Sequence, residues 1–204
     1  MKSLFLDTSE KLVLGILDDN FDWIDYLDTN EKKGSGVLHG ILFELLKSNN
    51  INIKDISNVF TMAGPGSYTG MRLGEGLAQA LELFNIKIYS IYHFDIPKIL
   101  NVTEGQWFSR AFKGEVFVYS WNGENENYSL LKEEAFREQL LIYQSEGKQS
   151  YTHAKDDLFI NCEQTTNLIK KNPSHIFKHL YNNNIRKELY YYRPLELEFK
   201  QTAI

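Results

Sequence analysis

Gly64-Pro65-Gly66-Ser67-Tyr68-Thr69-Gly70-Met71-Arg72 breaks a run of apolar sequence at one point and restarts it with a different period. Ahead of it, Val59 to Ala63 has the composition of a buried strand. Behind it, Leu73, Leu77, Ala80, Leu81 and Phe84 recur at helical spacing, which predicts a helix from about Thr69 to Phe84. Glycines permit close backbone approach and positive φ, and Thr69 suits the N-cap. A loop of this kind can hold an anion at the helix N-terminus. The Lys-Ser/Thr pair of a Walker loop is missing, however, and the dinucleotide fingerprint is not met. By mechanism alone, a tight strand-to-helix connection is the simpler reading.

Working outward, Ser3 to Asp7, Leu12 to Leu17 and Phe21 to Leu27 read as three strands, with a turn at Asp18-Asp19-Asn20. In the third, Phe21, Trp23, Asp25 and Leu27 should share a face. Leu38, Ile41, Leu42, Leu45 and Leu46 form one helical stripe, ended by Ser48-Asn49-Asn50. Ile86 to Ile91 is a fifth strand, followed by a short helix before Pro97. The order strand-strand-strand-helix-strand-helix-strand is that of a ribonuclease-H-like half, the α/β unit that occurs twice in actin-like (ASKHA) folds. The expected division is a complete half over 1–100 and a reduced half over 101–204. In the second, Phe117 to Trp121 and Asn127 to Leu131 suggest a hairpin around Asn122-Gly123. A helix over Glu133 to Tyr143, a strand over Leu158 to Cys162 and helices near Gln164 to Lys170 and Ser174 to Tyr181 follow. Leu189 to Tyr192 reads as a closing strand that returns to the first half. No internal repeat is visible.

The composition bounds the function. The chain has 204 residues, 43% of them hydrophobic, and a formal charge of −5, so it has material for a core but no basic stripe for nucleic acid. Its one cysteine, Cys162, excludes an internal disulfide and a Cys-based zinc site, which favours a reducing compartment. The first apolar run ends at Asp7, too short for a signal-peptide core, and no run has the length of a membrane span. A cytoplasmic location is expected.

The letters of the glycine segment are more specific than their mechanism. Gly64 to Gly74 resembles, without a gap, the signature of the TsaB (YeaZ) family: Gly-Pro-Gly-Ser-aromatic-Thr-Gly-apolar-Arg, then aliphatic-Gly. The signature residues are Gly64, Pro65, Gly66, Ser67, Thr69, Gly70 and Arg72. Leu6-Asp7-Thr8-Ser9, Lys113-Gly114-Glu115-Val116-Phe117 and Tyr191-Tyr192-Arg193 resemble the family's opening strand, second-half start and closing Tyr-x-Arg. Glu75 stands where the family is apolar, and Arg110 and Phe112 stand where it often has Asp and Arg. A family histidine would fall near Gly34, and His39 comes too late for it.

The resemblance implies a non-catalytic scaffold that pairs with a TsaD-like transferase in threonylcarbamoyladenosine modification of tRNA. A TsaE-like ATPase would join them, and tRNA would be met only through the complex. The resemblance implies no metal and no resident cofactor. A nucleotide at the joint surface and a homodimer of the isolated chain stay open. The rival is an enzyme of the same superfamily, a nucleotide-dependent phosphotransferase or a peptidase. Asp7 ends the first strand, where such phosphotransferases carry a metal-linked carboxylate, but a turn-capping role is preferred. His175 and His179 lie four apart on a predicted helix without an identifiable third ligand, so a surface helix is the better account. Gly70, Gly74 and Ala78 form a row of small residues bordered by Met71, while Phe43 lies off its helix's core stripe with His39 one turn earlier. Such a row either receives a partner helix or packs internally. With the resemblance, the expected partner face is His39, Phe43, Gly70, Met71, Gly74 and Ala78.

Overall fold

The computed structural model describes residues 1–29 and 36–192, apart from the side chain of Lys113. Among the described residues, ten strands form two five-stranded sheets. The first contains β1 (Lys2–Asp7), β2 (Val13–Leu17), β3 (Trp23–Asp28), β4 (Ile56–Met62) and β5 (Lys87–Ile91), in the order β3-β2-β1-β4-β5. The antiparallel meander β1-β2-β3 is followed by parallel β4 and β5. Leu4, Val13 and Val59 therefore share one sheet, as the actin-like reading requires.

Helices cover both faces of this sheet, and for that reason β1 and β4 are buried along nearly their whole length, with Leu4-Phe5-Leu6 and Val59-Phe60 as unalternating apolar stretches. On one face, α1 (Leu38–Ser48) and α2 (Tyr68–Glu82) pack with Leu4, Leu6, Leu14 and Val59. On the other, α5 (Thr165–Lys171) and α6 (Pro173–Asn182) bring Ile169, Ile176, Phe177 and Leu180 against Phe5 and Phe60. A short α3 (Ile96–Ile99) leads into the second half. The third strand is shifted from its expected span. Phe21 stays in the preceding turn at φ 63°, buried against Phe60, and Leu27 is exposed.

The second sheet contains β6 (Glu104–Arg110), β7 (Glu115–Asn122), β8 (Asn125–Lys132), β9 (Ser150–Thr152) and β10 (Glu163–Gln164). Its order, β10-β9-β6-β7-β8, is the plan of the first sheet. Two antiparallel pairings join β6-β7-β8, and two parallel ones join β6-β9-β10. α4 (Glu133–Ser145) occupies the place of α1. The chain thus holds a topological repeat that the sequence does not show as a repeat of residues, with the reduced second half that the actin-like reading expects. The second copy is reduced because β9 and β10 are three and two residues long and a 3₁₀ turn, Asp157–Phe159, replaces the counterpart of α2. That turn also replaces the strand expected over Leu158 to Cys162. No regular strand forms over Leu189 to Tyr192 either. Residues 185–190 instead run back along the first sheet, where the Ser90 amide donates to the Ile185 carbonyl and the Tyr190 amide to that of Ala63. Arg193 lies outside the described residues, as does Gly34.

Candidate functional site

The signature segment sits where the two lobes meet. Gly64 has φ 102° and Pro65 follows it in cis. Ser67, not Thr69, caps α2, its hydroxyl accepting from the Gly70 amide at 3.3 Å. The helix begins one residue early for that reason. The amide of Ser67 donates to the Ser9 carbonyl at 2.5 Å and that of Met71 to the Ser67 carbonyl at 2.8 Å. The amides of Ser67 and Gly70 are therefore engaged within the chain.

The glycines answer to Thr8 and Ser9 rather than to a ligand. A Cβ on Gly66 would stand 2.5 Å from the Ser9 carbonyl oxygen, and one on Gly74 would stand 2.6 Å from Thr8 Oγ1. On Gly70 it would collide with the Thr8 carbonyl oxygen, while Thr8 Oγ1 donates to the Gly70 carbonyl at 2.7 Å. The small-residue row is thus the inward face of α2, closed over the end of β1. Met71 and Ala78 are buried. This corrects the expected partner face: Gly74, Ala78 and Met71 are internal packing, and Gly70 is sealed against Thr8. The core stripe is correspondingly rotated, since Ala80 and Phe84 face solvent and Leu73 and Leu77 are half-buried. His39 and Phe43 are exposed as expected, Phe43 at 61%.

Arg72 points outward to the end of the chain. It lies over the Tyr68 ring and donates to the hydroxyls of Tyr68 and Tyr191, whose rings stack at 4.4 Å. The signature arginine and the closing tyrosine therefore form one unit.

Beneath the junction is a buried polar network that the sequence did not signal. Asp7 Oδ1 accepts from the Ser9 amide at 2.8 Å, the turn-capping role expected of it, and lies 2.6 Å from Ser9 Oγ. Ser9 Oγ is also 2.7 Å from His93 Nε2, whose Nδ1 is 3.1 Å from Thr165 Oγ1. The imidazole of His153 stacks on His93 at 4.5 Å and on Trp107 at 5.3 Å. Burial holds the Asp7 carboxyl above its ordinary range, opposed by the Ser9 bonds. Burial also pushes His93 down to about 3, and burial together with His93 lowers His153. Although His93 Nε2 is 3.6 Å from Asp7 Oδ2, desolvation works against a charged pair here. Three of these residues, His93, His153 and Thr165, come from segments with no motif. Only the fold brings them together.

A serine hydroxyl beside an imidazole has the geometry of a nucleophile and base. Here that hydroxyl is buried and also engaged by the Asp7 carboxyl, while the stack of His93 on His153 links the two lobes. Cys162 is half-buried, and burial pushes its thiol up to about 12, which disfavours the thiolate. His175 is exposed and His179 half-buried on α6. Among the described residues, no group of three potential ligands is placed to hold a metal, and no helix is long and apolar enough to cross a membrane.

Above the network opens a cleft of about 520 Å³ between the lobes, bordered by Ser9, Gly66, Ser109, Arg110, His153 and Tyr192. Arg110, which stands at a position where the family often has Asp, is bonded to Asp156 and Glu133.

Comparison with known proteins agrees with this arrangement. The family model of TsaD, tRNA N6-adenosine threonylcarbamoyltransferase, matches residues 31–97, the span from before α1 into α3. YeaZ from Pseudomonas aeruginosa shares the fold at a TM-score of 0.52, with 17% identity over 65% of this chain and 68% of that one. A structure described as an uncharacterized protein with similarity to peptidase YeaZ from Pseudomonas aeruginosa gives 0.56, with 14% identity and 74% of each chain covered. The chain is thus similar to the TsaD family model over the helices of its first lobe, and it shares its two-lobed actin-like fold with the YeaZ structures.

Proposed function

We propose that the chain is a non-catalytic subunit that pairs with a TsaD-like transferase in threonylcarbamoyladenosine modification of tRNA. The observation that carries this reading is the coincidence of the family signature with the TsaD model match on the first lobe. The outer surfaces of α1 and α2 supply the docking face in this reading. Phe43 on α1, with His39 one turn before it, and Leu83 and Phe84 at the end of α2 are exposed, the last two at 85% and 76%. Exposed aromatic and aliphatic side chains on adjacent helices suit a protein partner. The negative formal charge leaves the tRNA phosphates to that partner.

The catalytic rival is disfavoured by the Ser9 hydroxyl, which is buried and engaged by both Asp7 and His93. The direct experiment mixes this protein with the TsaD-like protein of the same cell and measures complex formation and tRNA modification. A stoichiometric complex is expected, with modification requiring both chains. Phe43→Asp should weaken association roughly tenfold or more, about 1.4 kcal/mol, while leaving the melting temperature unchanged. Modification by this chain alone would overturn the reading, as would full affinity in a folded Phe43→Asp variant.

A further inference from the structure

The second lobe is one helix short of the first. In the first lobe, α1 and α2 pack on the same face of the sheet, and α2 runs for 15 residues between β4 and β5. In the second, α4 takes the place of α1, and the 3₁₀ turn Asp157–Phe159 stands between β9 and β10. That turn gives Leu158 and Phe159 to the core beneath α4, but it leaves the flank of the helix uncovered. A groove of about 340 Å³ opens there. One wall is Arg137, Leu140, Leu141 and Gln144, which are i, i+3, i+4 and i+7 on α4. Asp157, Leu158, Ile160 and Asn161 form the other. Leu140 and Leu158 are the floor, 8% and 5% exposed, while Leu141 and Ile160 stand in water on opposite walls at 69% and 75%. Large aliphatic side chains exposed on both sides of an apolar floor mark a protein-binding surface.

The plan of the fold and the charge of the walls specify the occupant. At the equivalent position the first lobe seats a helix, and a groove between aliphatic walls takes a helix through side chains at i, i+3, i+4 and i+7. Exposed Glu134 and Glu138 precede Leu141 by seven and three residues on α4, and exposed Asp157 lies on the opposite wall. Arg137 is the cation that lines the groove among the described residues, and it is bonded to Glu133. Lys or Arg beside the inserted aliphatic stripe would meet these carboxylates, whereas an acidic helix would be repelled. A second copy of this chain suits the groove poorly. Two-fold contact through it would bring the α4 carboxylates of both copies together.

We propose that the groove between α4 and the Asp157–Phe159 turn receives an amphipathic helix of another protein, aliphatic on the face it inserts and basic along its flanks. The inserted helix completes the second lobe as α2 completes the first. The docking face of the scaffold reading lies on α1 and α2, so this proposal does not rest on that reading.

The test uses the isolated full-length chain with isotope-labelled amides and a synthetic peptide as long as α2, 15 residues. The peptide is built from Leu, Ala and Lys, with leucines on one helical face and lysines beside them. It should bind, with NMR shift changes centred on Leu140, Leu141, Leu158 and Ile160. A peptide with Glu in place of every Lys should bind at least about tenfold more weakly. Leu141→Asp and Ile160→Asp, both at exposed positions, should each weaken binding about tenfold in chains that melt as the parent does. Tyr128→Ser removes an exposed ring from β8, elsewhere in the second lobe, and should leave the affinity unchanged. The proposal is overturned if the Lys peptide does not bind up to about millimolar concentration, or if the Glu peptide binds as tightly. It is also overturned if folded Leu141→Asp and Ile160→Asp keep full affinity, or if Tyr128→Ser loses as much as they do. A parent chain that sediments as a dimer, and as a monomer after Leu141→Asp, would give the groove to a second copy and overturn the proposal likewise.

Discussion

At Gly74, Gly70 and Gly66 the meaning of the signature is steric. Each lies where β1 ends in Thr8 and Ser9, and each would place a Cβ inside the contact distance of that turn. A motif that resembles a phosphate loop in its letters is here a socket for the protein's own backbone. Gly74→Leu must therefore push α2 off β1, at a cost of about 1–3 kcal/mol or more. The expected result is a melting temperature lower by roughly 2–12 °C for a domain of this size. Gly76→Leu provides the control on the same helix. That position is exposed and its Cβ would meet nothing within 4 Å. Equal stability of the two variants would show that the row is not the packed face.

At the scale of elements, the first lobe was legible because its strands and helices announce themselves by different periods. β1, β4 and the stripe of α1 are runs that only one kind of burial explains. The inward face of α2 was not legible. Periodicity selects the large apolar residues, whereas this helix packs through Gly74 and Ala78 because β1 runs too close for anything larger. β9 and β10 were missed since five residues in all carry no detectable alternation. The His93–His153 stack was hidden for another reason: its partners lie 60 residues apart in sequence and follow strands of different sheets. The return of 185–190 is also tertiary in origin. Ser90, in edge strand β5, donates its hydroxyl to the Lys187 carbonyl and accepts from the Lys187 amide. Ser90→Ala removes both bonds and leaves polar backbone atoms unpaired, so it should destabilise by about 1–3 kcal/mol. Urea unfolding would record this as a lower midpoint with an unchanged slope. An unaltered midpoint would mean that this return segment contributes nothing to the stability of the first sheet.

The whole molecule is two copies of one plan, joined where His93 of the first lobe meets His153 of the second, and that joint makes stability depend on pH. Both imidazoles are buried and held neutral, His93 with a value lowered to about 3 against 6.5 for the free side chain. A group whose value is depressed by folding binds its proton more readily in the unfolded chain. Its contribution is complete above pH 6.5 and is lost as pH falls from there toward 3. Near pH 5, His93 alone should remove roughly 2 kcal/mol, since each unit of difference corresponds to about 1.4 kcal/mol. Asp7 acts in the opposite sense. Burial raises its value, so the folded chain takes up that proton first, and its contribution is present at low pH and lost as pH rises through the raised value. The two groups share Ser9, and their titrations are coupled. Denaturant midpoints measured at pH 7 and pH 5 should therefore fall on acidification in the parent. The fall should be smaller in His93→Asn, which has no proton to gain, and larger in Asp7→Asn, which has lost the opposing uptake. The sign of the Asp7→Asn change distinguishes this linkage from a general acid weakening of surface ion pairs such as Lys11–Asp28. A fall as large in His93→Asn as in the parent would mean that His93 does not remain neutral in the folded state.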